Sequence, residues 1–351
     1  MDMTMKQELT IRKLNRNDCT AWDQYVDAHQ DGSFFHLTGW LDVIKEVFGH
    51  QPHYLLAEQY DQLVGVLPLF EQKSALFGHA LISTPFCVYG GVLANDDDIR
   101  CQLEAAAFEL GCSLEVDYIE LRDREEKPCA DPWFRHCQHA TFRNTLADNP
   151  EDVLSGIKRK QRAVIRHAMN NRLSWDEQDN PDLCFDLYAE SVRNLGTPVF
   201  HPALFQKLKH TFGRRCHTLV IRDAAGLPVS GVLSFYYKNQ VLPYYGGGTQ
   251  AARELKSNDF MYYQLMLLAR AKGAEVFDFG RSKIDSGAYH YKKHWGMEEQ
   301  PLHYRIALVN AKRPPNLSPN NPKYRYFIRA WQNMPVGISK LIGPRISKYL
   351  G

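Results

Sequence analysis

Residues 277–296 read FDFGRSKIDSGAYHYKKHWG and form the segment richest in candidate catalytic groups. An apolar strand ends at Asp278 and releases a loop holding Arg281, Ser282, Lys283, His290, Lys292, Lys293 and His294. Ionisable side chains gathered just past a strand's end are how α/β proteins build a cleft. Tyr289, Tyr291 and Trp295, interleaved among them, imply that much of this loop is packed. A second candidate is Tyr245-Gly-Gly-Gly-Thr249, which follows a strand but has the spacing of no nucleotide loop. Its glycines, Gly246 and Gly247 among them, suit a splayed or bulged strand end whose N–H groups face a ligand. A third is the run Lys158, Arg159, Lys160, Arg162 and Arg166, five cations within nine residues and no acid.

Several chemistries are excluded by the motifs they need. The chain has no G-x-S-x-G elbow, no P-loop, no H-E-x-x-H and no G-x-G-x-x-G. Eight cysteines are scattered without a C-x-x-C pair, so they read as reduced and mostly buried. Cys129, His136, Cys137 and His139 make a metal site only if a loop folds all four together, so a structural role is expected and no metal.

The elements that must position these residues occur twice. Tyr54–Glu58, a turn and Leu63–Phe70 read as a β-hairpin, and so do His217–Ile221 and Val229–Phe235. Pro85-Phe-Cys-Val-Tyr89-Gly90-Gly91 then matches Leu242-Pro-Tyr-Tyr245-Gly246-Gly247, each at a strand end. A helix follows, over 98–110 or 257–272, with Ser257 as N-cap of the second. Gly111 and Gly273 are its expected stops, and a strand comes next, 117–121 or 275–279. Five matches in one order at similar spacing predict a duplicated α/β lobe. The expected boundaries are 1–150, 151–310, and a tail of 311–351.

Between the lobes, residues 150–172 read as one helix, with apolar Leu154, Ile157, Val164, Ile165, Ala168 and Met169. Lys158, Arg162 and Arg166 share a face of it, which is either a solvated surface or a phosphate-binding one, RNA included. The chain's net charge is +2, yet the tail from Ala311 carries eight Lys or Arg and no acid, leaving −6 on residues 1–310. Tyr324, Tyr326, Phe327, Trp331, Leu341 and Ile342 alternate there with Arg325, Arg329 and Lys340. Such a segment either lies on an anionic membrane or packs on the lobes or a partner. With 44% hydrophobic and 23% charged residues, no apolar run of membrane-spanning length and no secretory signal in MDMTMKQELT, a cytoplasmic globular protein is expected, peripheral on the inner membrane face at most.

Three motifs carry a family resemblance: Pro-Phe-x-x-Tyr89-Gly-Gly, Asp278-Phe-Gly-Arg-Ser282 and Tyr291-Lys292-x-x-Trp295-Gly296. Together they resemble the FemAB family over residues 30–310, and most closely the FemAB-like proteins that accompany exosortase (PEP-CTERM) systems. The resemblance implies two tandem GNAT-like lobes, each a mixed, mostly antiparallel sheet flanked by helices. It implies transfer of an acyl or aminoacyl group, from acyl-CoA or aminoacyl-tRNA and with no permanent cofactor, to an amine or hydroxyl of a sugar- or lipid-linked acceptor in cell-envelope or exopolysaccharide assembly. The chain lacks the coiled-coil hairpin of some members and the R/Q-x-x-G-x-G/A loop that holds the CoA pyrophosphate, so the donor is open.

The family lysine falls on Lys292, whose implied role is to stabilise an oxyanion. Asp278 or His290 is then the acceptor for a substrate proton or serves packing. Tyr245, Gly246, Gly247, Arg281 and Ser282 become donor-side candidates, with Arg281 on a phosphate or carboxylate. Tyr89 and Gly90 shape the acceptor side, and Lys158, Arg162 and Arg166 are candidate phosphate contacts. The rival readings are a scaffold whose lobes have lost chemistry and an RNA-binding protein.

Overall fold

A computed structural model of the chain describes residues 9–75, 77–314 and 325–350. Tyr324 and most of the Pro-rich stretch 312–322 lie outside them. The described chain divides into two compact units, one of residues 9–137 and 302–314, the other of 138–301 and 325–350.

In the first unit, β1 (Thr10–Lys13), α1 (Cys19–Ala28) and α2 (Gly39–Phe48) precede β2 (Gln51–Pro52), β3 (Leu55–Gln59) and β4 (Gln62–Leu67). There follow β5 (Leu69–Ser74), β6 (Gly78–Ser83), β7 (Leu93–Ala94), α3 (Asp97–Ser113), β8 (Tyr118–Asp123) and β9 (Trp133–Arg135). The second unit opens with β10 (His139–Thr145), α4 (Pro150–Gly156), α5 (Arg159–Met169), β11 (Ser174–Gln178), α6 (Asp182–Leu195) and α7 (Ala203–Phe212). Its middle is β12 (Cys216–Arg222), β13 (Pro228–Tyr237), β14 (Gln240–Gly248), α8 (Ala251–Leu255) and α9 (Ser257–Ala271). Then come β15 (Val276–Asp278), β16 (Ser282–Lys283), α10 (Gly287–Lys293) and β17 (Glu298–Pro301). Strand β18 (His303–Leu308) returns to the first unit, while α11 (Arg325–Gln332) and α12 (Val336–Ser347) belong to the second.

The duplication is visible in the pairing. Hairpins β3–β4 and β12–β13 are antiparallel, and each is followed by a parallel pair, β6 with β8 or β14 with β15, joined through α3 or α9. The copies differ at Pro68. In the second unit β13 runs unbroken for ten residues inside one sheet ordered β11-β12-β13-β14-β15-β10-β16, with β17 also on β10. Pro68 offers no N–H to a ladder, and at that point the first unit's sheet divides into β1-β3-β4-β7 and β2-β5-β6-β8-β18-β9.

The first unit is completed by chain that follows residue 301, and the second unit begins before β10. The neighbour of β8 is β18, antiparallel from His303↔Asp123 to Leu308↔Tyr118, and the neighbour of β15 is β10, with Arg143 opposite Asp278. Boundaries at 150 and 310 would leave β10 in the first unit and β18 in the second. The ladders assign each to the other, and so do the cores: Ala307 packs with Leu81, Leu103 and Ile119, and Ala140 and Phe142 with Met261 and Phe277. Alternation fixes which face of a strand is apolar, not which sheet it joins.

Local boundaries shift for identifiable reasons. The predicted 150–172 helix breaks at Ile157 and Lys158, both extended, into α4 and α5. Gly111 does not end α3; it lies inside the helix, where a Cβ would come within 2.5 Å of the Ile119 side chain. Ser257 is the first helical residue of α9 rather than its cap, and its hydroxyl is buried without a hydrogen bond. Gly273 does follow a helix end, with φ of 86°. In the tail, α11 and α12 pack on α6: Trp331 is 2% exposed, and Lys340 pairs with Asp186 at 2.6 Å. Among the described residues no helix is long and apolar enough to cross a membrane, and no group of three or more His, Cys, Asp or Glu could hold a metal ion.

The returning strand β18 carries a buried charge into the first unit. Arg305, 1% exposed, donates to Asp123 at 2.8 Å and to Glu104 at 2.7 Å, and Glu104 also takes Arg100 at 2.9 Å. Removing one member strands the others in low dielectric. Arg305→Ala is expected to cost the first unit about 3–5 kcal/mol, measured as a loss of denaturant midpoint, whereas Arg124→Ala, at an exposed pair with Glu125, shifts it little.

Candidate functional site

Strands β14 and β15 pair only at Gln240↔Val276 and Val241↔Phe277. Beyond that, β14 continues to Gly248 along β13 alone, after a bulge between Leu233 and Ser234 that sits at Tyr244. Two parallel strands that separate in this way leave main-chain groups on their facing edges available to an extended ligand. The glycines serve packing as well. A Cβ on Gly247 would lie 2.8 Å from the Tyr188 backbone of α6 and one on Gly246 2.8 Å from the Tyr262 hydroxyl. Tyr245 is buried among the rings of Tyr188, Phe200 and Phe205, so it braces α6 and α7 against β14.

At the end of β15 a single turn is held from two sides. The Asp278 carboxylate, fully buried, accepts from the Gly280 N–H at 2.9 Å and the Thr141 hydroxyl at 2.5 Å, and Arg143 lies 3.2 Å away. Lys292 Nζ donates to the carbonyl oxygens of Phe279 at 2.7 Å, Gly280 at 2.8 Å and Arg281 at 3.2 Å. Gly280, with φ of 68°, makes the turn that presents these carbonyls to one ammonium. Burial pulls the Lys292 pKa down to about 7; the Asp278 charge opposes that fall and Arg281 adds to it.

Helix α10 is fixed behind Lys292 by contacts with α5, α9 and β17. Asp259, in the first turn of α9, accepts from Tyr291 at 3.0 Å and from Gln161 of α5 at 2.6 Å. Burial raises the Asp259 pKa against the pull of those two donors. On the other side Tyr289 donates to Glu299 at 2.6 Å, and Trp295, 1% exposed, packs on Phe279 and Tyr262. Spacing gives no signal for Thr141, Arg143, Gln161 or Asp259, since each meets the site across a long sequence separation.

The structure thus gathers Asp278, Arg281, Ser282 and Lys292 at one strand end. Ser282 is 4% exposed with an unpartnered hydroxyl, and Arg281 is half-buried. It does not gather His290, which is exposed and meets the ring of Tyr289. Of the cations at and after the N-cap of α5, Lys158 is tied to the Lys293 carbonyl at 3.0 Å and Arg162 to that of Ser155 at 3.3 Å, and Arg166 projects into solvent.

In the first unit the matching Tyr89-Gly90-Gly91 lies not at a strand end but in the loop between β6 and β7, and it is stitched to β8. The N–H groups of Gly90 and Gly91 both donate to the Arg122 carbonyl at 3.1 Å, and the Arg122 guanidinium, 2% exposed, donates to Cys87 O and Glu120. Tyr89 packs on Phe35 and lines a small cavity with His36, Arg122 and Asp123. His36 is neutral there, its pKa lowered to about 4 by burial.

Residues 152–293, which include the diverging parallel strands, match the family model described as acetyltransferase (GNAT) domain. The whole chain has the fold of a FemAB-like tandem GNAT protein. It resembles the crystal structure of FemX, with a TM-score of 0.65 and 14% identity over 91% of this chain and 100% of that one. A tandem GNAT protein from the clavulanic acid biosynthesis pathway aligns with a TM-score of 0.55, 13% identity, 88% of this chain and 100% of the other. The structure of L-PGS from Bacillus licheniformis aligns at 0.53 with 11% identity over 92% and 99%. A search of curated proteins by sequence found no match.

Buried Asp278 holds the turn, so Asp278→Ala is expected to destabilise the second unit by about 3–5 kcal/mol by leaving Lys292 and Arg143 without their counter-charge. Thermal or urea unfolding would measure it; a change under about 0.5 kcal/mol would contradict this role.

Proposed function

We propose that this chain transfers an acyl or aminoacyl group to an amine or hydroxyl of a sugar- or lipid-linked acceptor in cell-envelope or exopolysaccharide assembly, and that the second unit does the chemistry. The observation that carries this reading is the contrast between the units: β14 and β15 diverge beside a lysine-clamped turn, while the matching segment in the first unit is closed by Arg122. An acyl donor laid along the β14 edge would bring its carbonyl to the end of β15, near Lys292 and Ser282. All three N–H bonds of the Lys292 ammonium are taken by main-chain carbonyls. Its part is therefore electrostatic: a buried positive charge, and peptide groups polarised by it, favour the oxyanion that forms as the acceptor attacks. An exosortase-linked exopolysaccharide is the setting that the sequence motifs suggest.

Lys292→Ala is expected to lower kcat about a hundred- to a thousandfold. Lys292→Arg should restore little, because a planar guanidinium cannot aim three N–H bonds at three carbonyls around one nitrogen. As the ammonium is the working form, kcat should fall as pH rises through about 7, where Lys292 loses its proton. Turnover with purified acceptor and either donor measures all three, and unchanged turnover in Lys292→Ala would sink the assignment.

Of the two donors, aminoacyl-tRNA is favoured by the exposed cations of α5, with acyl-CoA the alternative. Binding of tRNA should weaken with salt, and Arg166→Ala should reduce the log–log slope by about one. Retention of a CoA species by the purified chain and no retention of tRNA at low salt would reverse the choice. A second reading, a scaffold without turnover, is supported by the full engagement of Lys292 with main chain and predicts no activity with either donor.

A further inference from the structure

Helix α12 is inverted with respect to an ordinary surface helix. Ser339, Gly343 and Ser347, spaced four apart and so on one face, are its buried positions, and a Cβ on Gly343 would meet the Val199 backbone at 2.8 Å. Its bulky apolar residues lie elsewhere: Leu341 is 69% exposed and Ile338, three residues earlier, 46%. Arg345, four beyond Leu341, is exposed on that same outer face. Helix α11 buries large residues but also leaves bulky apolar ones outside. Ile328 contacts Gly196 and Trp331 is buried, whereas Tyr326 is 75% exposed with Phe327 and Arg329 exposed beside it.

Large apolar side chains turned outward do nothing for the folded monomer; each exposed leucine or tyrosine leaves apolar surface in water. The charge pattern indicates what covers them. Residues 325–350 contain Arg325, Arg329, Lys340, Arg345 and Lys348 and no acid. A second copy pairing through this face would set cations against cations. An anionic lipid surface takes both features at once: apolar side chains enter the acyl boundary while arginines and lysines meet the headgroups.

We infer that α11 and α12 form a built-in docking face for an anionic membrane, with Tyr326, Phe327, Ile338 and Leu341 inserting and Arg329 and Arg345 contacting phosphate. Both helices are already packed on the second unit, α11 and α12 against α6, Gly343 against Val199 and Lys340 paired with Asp186, so no folding on the membrane is needed. The inference goes beyond acyl transfer and stands without it, because lipid binding is read without turnover.

The test is sedimentation of the full chain with phosphatidylcholine vesicles, with and without phosphatidylglycerol. The full chain should partition onto the phosphatidylglycerol vesicles at least about tenfold better than onto phosphatidylcholine alone, and lose that preference at high salt. An Ile338→Ser/Leu341→Ser double substitution should weaken binding about tenfold, and Arg329→Glu/Arg345→Glu should remove the preference for anionic lipid. All four side chains are exposed, so circular dichroism should report an unchanged fold. No sedimentation, equal binding to both vesicles, or binding unaltered by either pair of substitutions would overturn the inference. So would a dimer in solution that Leu341→Asp dissociates.

Discussion

Everything around the proposed active site depends on one tight turn at the end of β15. Its Gly280 N–H is held by the Asp278 carboxylate and its three successive carbonyls by the Lys292 ammonium. Opposite charges thus grip the two poles of the same peptide groups. Burying either ion alone would be unfavourable, but here each is offset by main-chain partners and by the other's field. The surrounding elements keep that arrangement in register: β10 supplies Thr141 and Arg143, and Asp259 ties α10 to α5 and α9.

The duplicated architecture has diverged through the same kind of interaction used to the opposite end. Both units keep the hairpin, the parallel strand pair and the intervening helix. In the second, the parallel strands part after two residues and the gap is bordered by aromatic rings and a lysine. In the first, the main chain and side chain of Arg122 bond the returning segment 84–91, and the Arg305–Asp123–Glu104 network fills the space behind it. A slot that could take a ligand has become a hydrogen-bonded core.

A returning strand links the two. Because β18 completes the first unit, that unit's sheet is not whole without chain from beyond the second, and in the second unit the residues that orient Asp278 arrive from β10, a strand that precedes the rest of its unit. This places a demand on folding as well: the contacts that finish each sheet span well over a hundred residues, the kind of non-local pairing that slows folding.

What the sequence determined by itself was periodic and local. The repeated hairpin, helix and strand were legible because each is encoded in a short window by alternation, turn residues and helical spacing, whereas the matched Tyr-Gly-Gly segments proved unlike, Tyr245–Gly247 lying within β14 and Tyr89–Gly91 in the loop between β6 and β7. The concentration of Asp278, Arg281, Ser282 and Lys292 was legible for the same reason. Only the tertiary structure decided which sheet β10 and β18 join, that His290 turns away while Asp259 and Thr141 turn in, that Gly111 sits inside a helix because Ile119 presses on it, and that the tail's tryptophan is buried while its leucine is not. Each of these depends on a partner far along the chain. Alternation and propensity specify a residue's own face and conformation, but a hydrogen bond or a close approach has two ends, and the distant end is supplied by packing alone.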